Sequence, residues 1–229
     1  MDMKKIIACA ALVMGVVIFN GRLNAAVESD IVGYTTITCE AGFNLLGVSF
    51  ATIDKTSSGV QVQTIAGNFQ ENDQIQYWDG AQLKNLTYYN AYGSDPAGWY
   101  NADDSLATKT FAPGEGFWVK VAKETDVSIA GKVVTGEEGK VTAPARSFTL
   151  LALSYPQPTE INKIVFTGLT ENDQIQYWDG TQLKNLTYYN AYGSDPAGWY
   201  NADDSLATKT FEPGEGFWIC PQKDVGFQF

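Results

Sequence analysis

The sequence contains no histidine among its 229 residues. Histidine is the base of Ser-His-Asp and Cys-His nucleophile systems and a frequent zinc ligand, so its absence excludes these catalytic systems and most zinc geometries. A carboxylate pair could still hydrolyse a glycosidic bond, and Glu115, Asp103 and Asp104 are available for it. However, these acids lie in a tight turn and in a polar loop, where solubility and turn geometry alone favour them. We therefore predict that the protein is not an enzyme.

Basic residues are also scarce. There are 15 lysines and arginines against 26 aspartates and glutamates, which gives a formal net charge of −11. Nucleic acids and anionic lipids need a basic surface, so this charge argues against both as partners. It suits solubility or cation binding instead.

Long apolar runs are missing except at the start of the chain. Two lysines in residues 1–5 precede an apolar run over residues 6–19, and small residues follow up to Ala25 and Ala26. This is the layout of a secretory signal peptide, and the run is shorter than the roughly 20 residues that span a bilayer. We predict a signal peptide over residues 1–25, no transmembrane segment, and a secreted protein located outside the cell or on its surface.

Cysteines are few. Cys9 lies in the predicted signal peptide, which leaves Cys39 and Cys220 near opposite ends of the remaining chain. In an exported protein such a pair predicts a disulfide before it predicts a metal site. Within one molecule the bond would clamp the chain closed. Between molecules it would join the end of one chain to the start of the next and propagate into a filament.

A long duplication is the most informative feature that is present. Residues 71–119 recur as residues 171–219 with three changes, namely Ala81 to Thr181, Ala112 to Glu212 and Val119 to Ile219. Upstream the match is looser, as between residues 43–50 and 148–155. We predict two homologous domains, residues 26–130 and 131–229, each of about 100 residues. The counterpart of a residue is the residue at the same place in the other copy, 100 positions away.

The local patterns are those of β-strands. In "DQIQYW", Ile75 and Tyr77 share a face, Asp79-Gly80 predicts a two-residue hairpin turn, and "QLKNLTYY" returns. Leu83 and Leu86 fall on opposite faces of the return strand, so a bulge is expected between them. Short strands with frequent turns predict an all-β fold of two tandem sandwich or barrel-like domains. A helical turn is expected only near residues 159–164.

Four segments also carry a resemblance to a known group of proteins. "VGYTTIT" begins at Val32, "AGFNLLGVSF" at Ala41, "IQYWDG" at Ile75 and "APGEGFWVK" at Ala112. Together they resemble the repeat units of uncharacterised exported bacterial surface proteins that end in a P-G-x-G-F-W-V signature. The resemblance implies a surface location and no particular activity.

The duplicated stretch "SDPAGWYNADDS" supplies candidate ligand-binding residues. Flat aromatic rings beside carboxylates and amides suit a sugar, whose apolar face stacks while its hydroxyls bind polar groups. The alternative is that Trp99 packs in the core of its own domain. The candidates in both copies are Asp95, Trp99, Tyr100, Asn101, Asp103, Asp104, Asp195, Trp199, Tyr200, Asn201, Asp203 and Asp204.

Calcium is a further candidate ligand. Asn101, Asp103 and Ser105 alternate like the first ligands of a calcium loop, as do Asn201, Asp203 and Ser205. Leu106 occupies the position that needs glycine in the helix-flanked loop, so the pattern predicts at most a looser oxygen cage. No other cofactor is expected.

These observations combine into one functional prediction. We expect a secreted, non-enzymatic structural or adhesive protein of the cell surface or extracellular matrix that presents two copies of an aromatic and acidic surface. A homo-oligomer or filament would follow if the partner is a second copy. The alternatives are a carbohydrate-binding module that uses Trp99, Tyr100 and their counterparts, and a calcium-dependent adhesion domain.

Overall fold

The structure, a computed structural model, describes residues 31–53, 59–134 and 136–228. The predicted signal peptide lies outside these residues. The predicted fold class is confirmed, since the chain forms two similar all-β domains of about 100 residues each. No helix of the described residues is long and apolar enough to cross a membrane.

The first repeat consists of a five-stranded antiparallel sheet and smaller sheets that cover one of its faces. The large sheet has the strand order β2-β9-β5-β6-β7, a second sheet has the order β1-β10-β3, and β4 pairs with β8. The strands are β1 (Val32–Cys39), β2 (Gly42–Gly47), β3 (Phe50–Ala51), β4 (Val60–Gln61), β5 (Gln74–Trp78), β6 (Leu83–Tyr89), β7 (Gly98–Tyr100), β8 (Thr110–Phe111), β9 (Gly116–Val121) and β10 (Thr125–Val133).

The second repeat has the same layout. Its large sheet has the order β12-β19-β15-β16-β17, with β11-β20-β14 as the second sheet and β13 paired with β18. The strands are β11 (Val141–Ala143), β12 (Thr149–Ala152), β13 (Thr159–Glu160), β14 (Val165–Thr167), β15 (Gln174–Trp178), β16 (Leu183–Tyr189), β17 (Gly198–Tyr200), β18 (Thr210–Phe211), β19 (Gly216–Cys220) and β20 (Val225–Gln228). The expected helical turn is a 3₁₀ turn at Ile161–Lys163.

Each repeat has its own hydrophobic core between its two sheets. On the inner face of the large sheet, Ile75, Leu86 and Phe117 are fully buried, and Val127 and Ile129 of β10 face them. The two-residue period of a strand puts these side chains on one face, and each contributes about 1.5–3 kcal/mol by leaving water. The second repeat repeats this cluster with Ile175, Leu186, Phe217, Val225 and Phe227.

The hairpin between β5 and β6 differs from the sequence prediction in two ways. Trp78 pairs with Leu83, so the connection has four residues rather than two. The Asp79 carboxylate accepts hydrogen bonds from the backbone N–H groups of residues 81 and 82 at 2.9 and 2.8 Å, which stabilises this longer loop. The expected bulge is also wrong, because the register is continuous from Leu83 to Leu86. Leu83 simply lies on the outer face and is exposed.

The predicted domain boundary after residue 130 is corrected as well. It falls inside β10, which continues to Val133 because Lys132 and Val133 pair with Ala51 and Phe50 of β3. The first repeat therefore extends to at least residue 133.

The two large sheets pack against each other through their outer faces. Trp118 meets Trp178 edge to face with ring centroids 5.6 Å apart, and Trp78 meets Trp218 at 6.2 Å. These pairs are counterparts of each other, so the contact has approximate twofold symmetry. The result is a four-layer molecule in which four of the six tryptophans join the repeats.

The P-G-x-G turn of each repeat completes this contact by crossing to the other repeat. The Gly47 N–H donates to the Gly214 carbonyl, and the Ala152 N–H donates to the Gly114 carbonyl, both at 2.8 Å. Gly47 has no room for a side chain, because an added Cβ would lie 1.9 Å from the Ala152 Cβ. Within the signature, an added Cβ at Gly116 would lie 2.8 Å from the Leu151 carbonyl oxygen, so glycine there also permits the close approach of the two repeats.

Candidate functional site

Two identical segments, each running from the end of β6 or β16 through β7 or β17 to the polar loop beyond, carry most of the predicted ligand residues. We call residues 88–106 and 188–206 the tyrosine loops. In each, a two-residue turn is closed by a pair of backbone hydrogen bonds, which between Tyr92 and Asp95 are both 3.0 Å long. Gly93 has φ +61°, which suits the first central position of such a turn. The turn projects Tyr92, which is 86% exposed.

Trp99 points the other way, into the core. Its side chain is 1% exposed and packs edge to face on Phe69 and Tyr88, with ring centroids 4.8 and 5.3 Å away. Gln63 fixes its backbone by accepting from the Trp99 N–H at 3.0 Å and donating to the Trp99 carbonyl at 2.7 Å. Trp199 is equally buried. The proposal that these two rings stack on a sugar is therefore corrected, since they are core residues.

Tyr100 is 7% exposed, so it offers only the edge of its ring. Its hydroxyl donates to the Pro96 carbonyl at 2.6 Å. Burial, with a smaller effect of the Asp95 charge, raises the pKa of Tyr100. Tyr200 makes the same bond to Pro196 at 2.7 Å. These tyrosines hold the loops and form the inner walls of the site rather than an open platform.

The polar loop that suggested calcium is closed on itself by hydrogen bonds. The Ser105 hydroxyl donates to an Asp103 carboxylate oxygen at 2.6 Å, and the Asn101 side-chain amide donates to the Ser105 hydroxyl at 3.0 Å. The bonds from Ser105 lower the pKa of Asp103. The same bonds recur in the counterparts Asn201, Asp203 and Ser205. Within the described ranges, no cluster of three or more acidic or cysteine side chains could hold a metal. The structure thus adds no support for calcium binding, which stays a prediction.

The structure brings three of the predicted ligand residues, Asp195, Tyr200 and Asp204, together with three that the sequence prediction missed, Tyr192, Tyr189 and Glu171. In the second repeat, a surface cavity of about 300 Å³ is lined by the tyrosines Tyr189, Tyr192 and Tyr200 and the carboxylates Glu171, Asp195 and Asp204. Every one of them has an identical counterpart in the first repeat. The signal that could have found Tyr92 was its place between turn-forming residues, which keeps a large ring out of either core.

Glu115, considered as a catalytic carboxylate, has structural partners. It pairs with Lys109 at 2.5 Å and accepts from the backbone N–H of Ala112 at 3.0 Å. The Lys109 ammonium lies 4.8 Å from the ring centroids of Tyr77 and Phe111, within cation–π range. In the second repeat, burial raises the pKa of Glu215 although Lys209 acts to lower it. Glu115 and Glu215 thus each stabilise the P-G-x-G turn of their own repeat, and this turn contacts the other repeat.

The disulfide predicted within one molecule is not formed. Cys39 and Cys220 are both free thiols. Cys39 ends β1 within the core of the first repeat and is fully buried, whereas Cys220 ends β19 in the large sheet of the second. Burial, with a smaller effect of Asp126, raises the pKa of Cys39 to about 12. The bond within one molecule is therefore corrected, whereas the bond between molecules stays a prediction, for which Cys39 would have to leave its buried position.

Comparisons with known proteins identify no relative. No protein-family model matches the chain, and no curated protein or solved structure matches it either.

Proposed function

We propose that this is an exported, non-enzymatic structural or adhesive protein, and that it contacts its partner through the two tyrosine loops. The exposed tyrosine at the tip of each loop is the observation that carries the proposal. Tyr92 and Tyr192 are each 86% exposed. Large rings this far out of a core are typical of recognition surfaces, in which tyrosine is enriched.

The rest of the duplicated segment supports this assignment by contrast. Trp99 and Phe111 fill the core, and Trp78 and Trp118 join the repeats. Packing therefore accounts for these residues. It does not account for Tyr92, which leaves this ring available for an interaction outside the molecule.

Two identical loops in one chain also favour adhesion. A partner that offers several sites can engage both loops, and the second contact then forms at a high effective concentration. A surface built this way can hold a multivalent partner even if each contact is weak. The proposed location, outside the cell or on its surface, rests on the signal-like start of the sequence.

Bead adhesion tests the proposal. Beads coated with the purified protein are mixed with one another and, separately, with cells of the organism that makes it. We expect clustering or attachment with the wild type and its loss in the double variant Tyr92→Ser/Tyr192→Ser. Thermal unfolding should be unchanged, because exposed substitutions usually alter stability by less than about 0.5 kcal/mol.

A matched control is the double variant Leu83→Ser/Leu183→Ser, which removes exposed apolar side chains elsewhere on the same sheets. It should adhere like the wild type. Equal adhesion by wild type and the tyrosine double variant would refute the proposed role of the loops. Equal loss in both double variants would indicate general stickiness instead.

A further inference from the structure

The cavity beneath Tyr192 has aromatic walls set at angles to one another. The rings of Tyr189 and Tyr200 lie 5.6 Å apart between centroids and are tilted by 58°. Tyr192 stands beside them on the turn that Asp195 closes. Three tyrosines around about 300 Å³ form an open box, large enough for the end of a side chain but small for a whole folded element.

The charge of this box has one sign. Glu171, Asp195 and Asp204 line it, and neither lysine nor arginine does. Within the described part of the chain, the carboxylates of Asp195 and Asp204 have no hydrogen-bond or ion-pair partner, while Glu171 accepts from the Asn190 amide at 3.0 Å. The box therefore combines negative ring faces with carboxylates that are ready to accept hydrogen bonds.

Aromatic rings and carboxylates attract the same class of ligand. A cation within about 6 Å of a tyrosine ring is attracted by the ring quadrupole, and desolvation strengthens that attraction. A carboxylate adds a charge-assisted hydrogen bond if the cation carries an N–H group. A primary ammonium satisfies both, whereas a quaternary ammonium satisfies only the rings.

We infer that each tyrosine loop binds a primary alkylammonium group, and that its source is a lysine side chain of the partner protein. This inference rests on the proposed function, since it names the group that the adhesive surface recognises. A lysine has the right shape, because its apolar stem can lie along the rings of Tyr192 and Tyr189 while its ammonium reaches Asp195. The net charge of −11 favours the approach of a basic partner.

The test uses the full protein and three small probes. N-acetyl-lysine methylamide carries the ammonium, N-acetyl-norleucine methylamide is close in shape but neutral, and choline carries a quaternary ammonium. Tyrosine ring signals are followed by NMR during titration. We expect saturable shifts in both loops with the lysine probe, no saturation with the norleucine probe, and weaker binding of choline. The lysine shifts should weaken about tenfold in Asp95→Asn/Asp195→Asn, because one charge-assisted hydrogen bond is lost.

Several outcomes would overturn the inference. Equal shifts with the norleucine probe would show an apolar site, and tighter binding of choline would indicate a quaternary ammonium such as a lipid headgroup. Lysine binding of unchanged affinity in Asp95→Asn/Asp195→Asn would place the site elsewhere.

The same measurements separate this inference from the proposed function. Adhesion that depends on Tyr92 and Tyr192 but is unaffected by excess lysine probe would leave the proposed function standing and refute the ammonium site. Lysine binding without any adhesion would support the ammonium site and refute the proposed function.

Discussion

The two repeats differ upstream of the duplicated segment, where different residues make equivalent contacts to Trp99 and to Trp199. Gln63 holds the backbone of Trp99 from 36 residues upstream, and the shorter Asn162 makes the equivalent bonds to Trp199 from 37 residues upstream. Phe69 packs on Trp99. In the second repeat the ring that packs on Trp199 is Phe166, which lies three residues before position 169, the counterpart of Phe69. The core thus tolerates exchange and shift of its residues if the contact is kept.

The tyrosine loops lie in the duplicated segment, residues 71–119 and 171–219, which is identical at all but three positions in core and surface alike. Within it the residues differ in burial, since Trp99 is 1% exposed whereas Tyr92 is 86% exposed. Folding therefore accounts for Trp99 but not for Tyr92. Substitutions should lower stability most where the side chain is buried and least at the tips of the loops.

Trp99→Ala should have the largest effect on stability. Removing the ring leaves a cavity between Phe69 and Tyr88, and such truncations cost about 3–5 kcal/mol. Trp199→Ala should cost a similar amount, because its surroundings are equivalent although differently built. Chemical denaturation of both variants measures this, and a loss below about 1 kcal/mol in either would contradict the core assignment.

Gly47→Val should disturb the contact between the repeats. The new side chain would overlap with Ala152, and overpacking of this kind costs about 1–3 kcal/mol. Denaturation should also become less cooperative, since the repeats would unfold more independently. Ala81→Thr, which introduces the residue of the second repeat at an exposed loop position, is the control and should unfold like the wild type.

Lys209→Met should cost about 1–3 kcal/mol at pH 7, because it leaves the Glu215 carboxylate, whose side chain is only 21% exposed, without its lysine. Burial raises the folded-state pKa of Glu215, so the folded protein favours the protonated carboxyl. The contribution of this group is therefore fully present below its ordinary pKa and is lost as pH rises through the raised value. The variant should lose least stability near pH 4 and most near pH 7.

The exposed pair of Lys184 and Asp179 provides the control for that experiment. Its atoms are 3.5 Å apart and its lysine is 45% exposed. Lys184→Met should change the free energy of unfolding by less than about 1 kcal/mol at pH 7. A control loss as large as that of Lys209→Met would mean that burial of Glu215 is not the cause.

Acid should weaken the turns through a different set of carboxylates. Backbone and side-chain hydrogen bonds lower the pKa of Asp179 and of Asp203 below their usual 3.8. Stability from these groups is present above the ordinary value and is lost as pH falls through the lowered one. Unfolding free energy should therefore fall below pH 4, and Asp179→Asn should flatten that dependence. An unchanged slope in the variant would contradict this origin.

The sequence predicted the architecture well because its signals are local or repeated. Duplication fixed the two domains, and the two-residue period placed Ile75 and Tyr77 on the inner face. Two errors were local, namely the length of the hairpin after Trp78 and the bulge expected after Leu83. The others concern long-range packing, because nothing local shows that Trp99 turns inward, that Cys39 lies in a core, or that the P-G-x-G turn crosses to the other repeat. These long-range outcomes depend on which strands meet, and the local pattern does not contain that information.

The most direct test compares the single variants Tyr92→Ser and Tyr192→Ser with the double variant. All three should unfold like the wild type to within about 0.5 kcal/mol, since the rings are exposed. Detachment of coated beads under flow should be somewhat faster for each single variant, to the same extent, and far faster for the double variant, because the second loop supplies avidity. Singles that already abolish attachment, or a double variant that detaches like the wild type, would contradict the account of two equivalent tyrosine loops.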